Sequence, residues 1–470
     1  MYGGQGYIDP NYEPEEDFVT VLWIKGREKL ERLAEGIAAE SSVGTWTGVK
    51  TANERVWELR GRIFRLVKSS PTSGFVFVAY PVEHFDHDNL LQLMASIRGN
   101  IFGMKALDEL YLLDWSIPER YQKKFEGPVH GIEGIRGYLG TEKSRRPHVG
   151  TIVKPKVGLT PEEFAKVAYE CFSNGLDLVK DDENLVNQDF CPWEERVLKV
   201  VEAAEKAEEE TGEKKIYVAN ITDFLPRMME RIDFLMEHGW KMAMVDVYVI
   251  GVAGLKEVLD ELHRKKFIVH AHRAGYAAEH RGRFGVSFAF WEKIYRLLGV
   301  DQLHVGTGVG KMEGSPVFIR KYAEILRREE IEGFEPVFLN MRWCKKIKPV
   351  LPVASGGLHP GLVEAVIAVH GTTDLVVQAG GGVHGHPGGS GAGARAMREA
   401  VELAAAGESV SGKKAGRELK EAIEKWGYVP ASKVHELFER FEMEKEKWVE
   451  RIAQEGFDAI EKINREVVVS

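Results

Sequence analysis

Gly175-Leu176-Asp177-Leu178-Val179-Lys180-Asp181-Asp182-Glu183-Asn184 reads as a short apolar strand that stops abruptly in charge. A period of two sets Lys180 and Asp182 on one face, with Glu183 following where the chain enters a loop. The same grammar recurs on both sides of this segment. Apolar runs at 149–154, 176–180, 216–221, 242–250, 267–272, 302–306, 349–355 and 375–380 alternate with helix-period segments. Eight such units predict an α/β fold, a (β/α)8 TIM barrel over 146–407, whose chemistry belongs at the strand C-terminal ends. Before it, strand-like runs at 18–24, 56–67 and 75–80 and helical patterns at 28–39 and 88–98 predict a small α+β, ferredoxin-like domain over 1–145. After it, 408–470 reads as a charged helical extension. Its Val434, Leu437, Phe438, Phe441, Trp448 and Ile452 fall at helical spacing, as a face packed on the barrel or on a partner would require.

The composition, 44% hydrophobic and 29% charged over 470 residues, belongs to globular proteins of two or more domains. A formal net charge of -9 gives no overall attraction to nucleic acid, so an anionic substrate needs a local cationic pocket. The three cysteines, Cys171, Cys191 and Cys344, are too few and scattered for a disulfide framework or a zinc site. Neither a basic leader nor a run of about 18 apolar residues occurs, and a cytoplasmic protein away from membranes is expected.

Each strand end then offers its own chemistry. Asp182 and Glu183 suit a hard cation such as Mg2+. Lys180 fits beside them as a ligand only after reaction with CO2, because a carbamate is an anion with ligand oxygens. Lys154 and Lys156 flank Pro155 on one predicted face, as a candidate for proton transfer or as a plain surface pair. His270 and His272 share a face. They would suit zinc, but no third soft ligand is near, and Arg273 beside them points to phosphate. The sixth strand supplies His304, and Gly308-Val309-Gly310-Lys311-Met312-Glu313-Gly314 follows as a glycine-hinged loop able to deliver Lys311. Ser355-Gly356-Gly357 and the run from Gln378 through Gly380, Gly381 and Gly382 occupy the loops that commonly hold phosphate in such barrels. Gly380-x-Gly382-x-x-Gly385 also satisfies a dinucleotide fingerprint, yet it closes an eight-unit series instead of opening a doubly wound sheet. Taken together, the strand ends describe one hard-metal centre and several phosphate grips.

These residues resemble the ribulose-1,5-bisphosphate carboxylase/oxygenase (Rubisco) large chain over nearly the whole length. The resemblance runs from Glu40-Ser41-Ser42-Val43-Gly44-Thr45-Trp46-Thr47 and Gly99-Asn100-Ile101-Phe102-Gly103 to the glycine run ending near Gly389, with 175–184 as its most specific piece. It implies a carboxy-lyase that adds CO2, or O2, to the enediolate of ribulose 1,5-bisphosphate and cleaves C2–C3 to 3-phosphoglycerate. Lys180 would carry the activating CO2 as a carbamate, and Asp182 and Glu183 would complete the Mg2+ site. Lys154, with Lys156 close by, would handle protons, and His272 would assist acid/base steps. Arg273 and His304 would hold one phosphate; Thr45, Trp46, Gly356, Gly357, Gln378, Gly380 and Gly381 would bind around the other; Ser355 would bond a sugar hydroxyl. Lys311 would stabilise the carboxylated intermediate. Glu40 and Asn100 would complete the site of a partner chain, so a homodimer or an oligomer of dimers is implied.

Two positions depart from the family pattern: Tyr276 stands where histidine is common and Ile152 where many plant-type chains carry threonine. The wording at 150–154 and 187–192 is similar to archaeal forms III and II/III, which implies no small subunit. The rival expectation is a Rubisco-like protein that enolises a related phosphosugar without fixing CO2. A non-catalytic assembly protein is a third.

Overall fold

The computed structural model describes residues 6–45, 47–311 and 314–466. Strands β1 (Asp17–Gly26), β2 (Arg62–Ser70), β3 (Ser73–Pro81) and β4 (Leu107–Ser116) come first. The barrel strands are β5 (His148–Ile152), β6 (Leu178–Lys180), β7 (Ile216–Asn220), β8 (Met242–Asp246) and β9 (Ile268–His272). After β10 (Phe284–Val286) come β11 (Gln302–His304), the two-residue β12 (Glu330–Ile331) and β13 (Met341–Arg342), and then β14 (Leu351–Ser355) and β15 (Val376–Gln378). The eight strands β5, β6, β7, β8, β9, β11, β14 and β15 close in that order into a parallel barrel, each at an expected apolar run. Helices cover the outside and side chains fill the inside. The strands therefore read as continuous apolar runs without alternation. Local signals stop the helices: Thr160 caps Pro161–Ser173 in a capping box with Glu163.

The first four strands form a sheet in the order β10-β4-β1-β3-β2, with β1, β3, β2 and β4 antiparallel and β10 added parallel to β4. Two expectations need correcting. The run 56–67 is not one strand: Asn53 Oδ1 accepts from the Val56 amide at 3.0 Å and starts a helix at Glu54–Glu58, and the strand begins at Arg62. Likewise 242–250 is strand only to Asp246, where the helix Val247–Arg264 takes over. The pattern reading also passed over β4, although its inner positions are buried.

The sheet is tied to the barrel by charge as well as by β10. Lys293, on the wholly buried helix Phe288–Leu298, lies 2.6 Å from Asp114 on β4 and donates to the Trp115 carbonyl at 2.7 Å. Asp114 also accepts from the Leu339 amide at 2.9 Å. Replacing Lys293 by methionine leaves a buried carboxylate without its cation and is expected to cost about 3–5 kcal/mol. A lowered urea midpoint would report this, and K293M combined with D114N should recover most of it.

Beyond the barrel lie helices Arg417–Trp426, Ala431–Met443, Lys445–Glu455 and Phe457–Glu466. Val434, Leu437, Phe438, Phe441 and Ile452 are buried and Trp448 is half-buried. The extension packs on the barrel helix Val363–His370 and then returns to the first sheet, where Ser69 Oγ donates to the Ala453 carbonyl at 2.6 Å and Phe457 meets Tyr111. Among the described residues, no helix is long and apolar enough to cross a membrane, and all three cysteines are buried and unpaired.

Candidate active site

Parallel strands all end on one face, and there a cavity of about 620 Å3 opens. Strand β5 leads into Lys154, and β6 supplies Lys180, Asp182 and Glu183. His272 and Arg273 come from the end of β9, His304 and Lys311 from β11 and its loop, Ser355, Gly356 and Gly357 from β14, and Gly380 and Gly381 from β15. All of these line the one cavity.

Alternation along β6 decides which acid faces it. Lys180 and Asp182 point in. Asp181 points the other way, accepting from Arg196 at 3.2 and 3.1 Å, from the Tyr217 hydroxyl at 2.8 Å and from the Asn220 amide at 2.9 Å. That buried network anchors the strand end and leaves Asp182 for chemistry. Burial works to raise the Asp182 carboxyl, but hydrogen bonds from Lys154 at 2.5 Å and from Asn184 outweigh it and hold it below its usual range. Lys180 is fully buried. Desolvation lowers its pKa against the opposing pull of Glu183, Asp182 and Asp181, and its Nζ donates to the Asp181 carbonyl at 2.7 Å. A buried amine with a depressed pKa has more of the neutral, nucleophilic form.

The donor set fits a hard cation on one condition. Among the described residues no three His, Cys, Asp or Glu side chains cluster as a ready-made metal site. Two carboxylates beside a lysine become a three-armed oxygen site if that lysine carries a carbamate.

On the far wall, His272 Nε2 lies 3.6 Å from Glu183 and its Nδ1 3.4 Å from Asp246, which also takes the Ala274 amide at 2.9 Å. His270 turns into the barrel, with its Nδ1 2.7 Å from Gln302 Oε1 and its Nε2 2.8 Å from His304 Nε2. Burial drives His270 down to about 3 and His304 well below its ordinary value, so both rings are neutral. The Nη1 of Arg273 is buried without a hydrogen-bond partner, which leaves a donor for an anion. Lys311 lies against Gly357, where the backbone has a φ of +74° and an added Cβ would sit 2.8 Å from Lys311 Cγ.

Other named residues lie elsewhere. Lys156 is exposed and does not line the cavity, because the chain leaves the strand at Ile152 and the period of two lapses before Pro155. Gln378 is buried in the barrel interior with neither side-chain atom bonded. Glu40, Thr45 and Asn100 stand on the first sheet's side of the molecule, with Asn100 Nδ2 3.3 Å from Glu40 Oε1, and none lines this chain's cavity. Trp46, and with it Met312 and Glu313 of the lysine-bearing loop, lies outside the described residues. Three contributors escaped the sequence reading: Asp246, His359 and Trp426. Asp246 was hidden inside an apolar run that continues into a helix, and Trp426 lies in the extension assigned to packing alone.

Comparison with known proteins agrees with this geometry. Residues 6–121 match the ribulose bisphosphate carboxylase large chain N-terminal domain, and residues 131–426 match the catalytic domain of the same chain. A ribulose bisphosphate carboxylase of Methanocaldococcus jannaschii is 46% identical over 89% of this chain and 99% of its own length. One of Thermococcus onnurineus is 42% identical over 90% and 97%. Among solved structures, the dimeric archaeal Rubisco of Hyperthermus butylicus superposes with a TM-score of 0.83 at 40% identity, covering 90% of this chain and 99% of that one. The octameric enzyme of Pyrococcus horikoshii gives 0.82 at 38%, covering 91% and 98%. With both domain models matched and relatives this similar along almost their full length, the chain belongs to the ribulose bisphosphate carboxylase (Rubisco) large-chain family.

Proposed function

We propose that this chain is a ribulose-1,5-bisphosphate carboxylase/oxygenase that works with Mg2+ and a carbamate on Lys180. The observation that carries the reading is Lys180 itself: a fully buried amine with a depressed pKa, set against Asp182 and Glu183 in a cavity whose walls offer anion donors. The ammonium first gives up one proton; the neutral amine then attacks CO2, a N–C bond forms and a second proton leaves, so that a cation becomes an anion with two oxygens. Lys180, Asp182 and Glu183 would hold Mg2+, which when bound supplies Lewis-acid polarisation of the sugar oxygens. Lys154, fixed 2.5 Å from Asp182, holds or moves the proton taken from C3 during enolisation, and His272 assists beside Glu183. Arg273 and His304 grip one phosphate, and Gly356, Gly357, Gly380 and Gly381 bring backbone amides to the other. Ser355 bonds a hydroxyl. Lys311 meets the new carboxylate.

Glu40, Asn100, Thr45 and Trp46 fit this scheme as contributions to a partner's cavity, so the working unit is at least a homodimer with no small subunit. The relatives described as dimeric and octameric support that view. Lys156 and Gln378 stay in the proposal as neighbours of the site. We divide the chain accordingly into an N-terminal domain to about residue 145, a catalytic barrel to about 407, and a helical extension.

The test is anaerobic incorporation of labelled bicarbonate into 3-phosphoglycerate, with Mg2+ and ribulose bisphosphate, before and after incubation with CO2. Incorporation that rises with incubation is the expected result. No incorporation from a folded dimer that still exchanges the C3 proton would make it an enolising Rubisco-like protein instead.

A further inference from the structure

Arg273, in the cavity wall, is held by aromatic rings. Its Cζ lies 3.9 Å from the centre of the Tyr276 ring and 4.0 Å from the centre of the Phe288 ring, and the two rings, 5.1 Å apart and tilted by 58°, form two adjoining walls of a corner-shaped slot. At its edge, Nη2 passes so close to Gly306 that an added Cβ there would sit 3.3 Å away. The residue is 8% exposed and its Nη1 has no hydrogen-bond partner. A planar cation set in such a corner loses hydration where the rings cover it and keeps the N–H donors on its open rim.

The surroundings do not spend those donors. Glu292 stands one turn beyond Phe288 on the same buried helix and is the nearest acid of that helix, yet neither of its oxygens has a partner. Burial raises its pKa well above normal against the pull of Lys293 and Arg273, which favours its neutral form. An unpaired buried donor on a cation is costly until an anion arrives.

We infer that Tyr276 and Phe288, with Gly306 at the rim, form an aromatic slot that presents the edge of Arg273 to an oxyanion in the cavity, which makes Tyr276 a positioning residue for anion binding. Tyr276 thus acts at a place where the family commonly uses an imidazole, and it couples a chain-specific side chain to substrate affinity. This deepens the proposed function and rests on reading the cavity as a phosphate site.

The test measures inorganic sulfate binding to the full-length protein by calorimetry, alongside steady-state kinetics with ribulose bisphosphate. Tyr276→Leu should weaken sulfate about 5- to 30-fold and raise KM by a similar factor, with kcat within about threefold of the parent. Tyr276→Phe should restore binding to within about twofold. In an Arg273→Met background, Tyr276→Leu should add less than about a twofold loss, because the slot then has nothing to hold. Sulfate bound by Tyr276→Leu as by the parent would overturn the inference. So would a Tyr276→Phe loss equal to that of leucine, the same loss without Arg273, or a parent that binds no sulfate. Sulfate results as expected without any carboxylation would overturn the proposed reaction and leave the slot standing.

Discussion

Lys180→Met is expected to fold, to melt at or above the parent's temperature, and to lose carboxylase activity by at least about a thousandfold together with all activation by CO2. The reasoning starts from burial. Lys180 is 1% exposed, and among the described residues its Nζ hydrogen-bonds to the Asp181 carbonyl and to the Met244 sulfur, 3.3 Å away. Methionine fills the same space without an amine to desolvate, so stability has no reason to fall. Chemistry has every reason to fall, because in the proposed metal site the third arm exists only as a carbamate. Losing Lewis-acid help worth about 4 kcal/mol or more is roughly a thousandfold in rate. The same buried amine sets a pH dependence. CO2 reacts with neutral nitrogen, so uptake rises with pH and, with the Lys180 pKa lowered, levels off at a lower pH than an exposed lysine would give. Trapping labelled CO2 on the protein as a methylated carbamate reads this without turnover. Label in the parent and none in Lys180→Met is the expected pair; full activity of the variant would sink the assignment.

The barrel and the acid–lysine floor were legible because both follow from one rule. A parallel strand buried on both faces is a plain apolar run, and its polar exit is visible where the run stops. The rule falters where an apolar run crosses from strand into helix without interruption, as at Asp246 to Val247, and the carboxylate that orients His272 went unnoticed there. It falters again where a proline ends the alternation, which is why Lys154 faces the cavity while Lys156 faces outward. Tertiary features leave no local mark at all. Nothing around residue 284 announces that β10 will join a sheet begun at Asp17, and nothing in Arg417–Trp426 announces that its last side chain will reach the cavity mouth. Tyr276 was visible as a departure, but its meaning depended on finding Arg273 packed in the corner that it forms with Phe288.

Lys311→Ala should separate the two halves of the proposed reaction. Lys311 rides on the loop after β11, lies against Gly357, and has no ion pair among the described residues, whereas the Lys154–Asp182 contact belongs to the rigid strand ends. Removing the loop cation therefore leaves the groups assigned to enolisation in place. Exchange of the C3 proton, followed as tritium released from C3-labelled ribulose bisphosphate, is expected to stay within a few-fold of the parent. In the proposed reaction carboxylation creates new negative charge, and a preorganised cation aimed at such charge is worth about 10²–10³ in rate. Labelled CO2 incorporation by the variant should fall by that factor while tritium release persists. If both fall together, the lysine serves closure or substrate binding before enolisation, and if carboxylation is unchanged, the loop has no part in the chemistry.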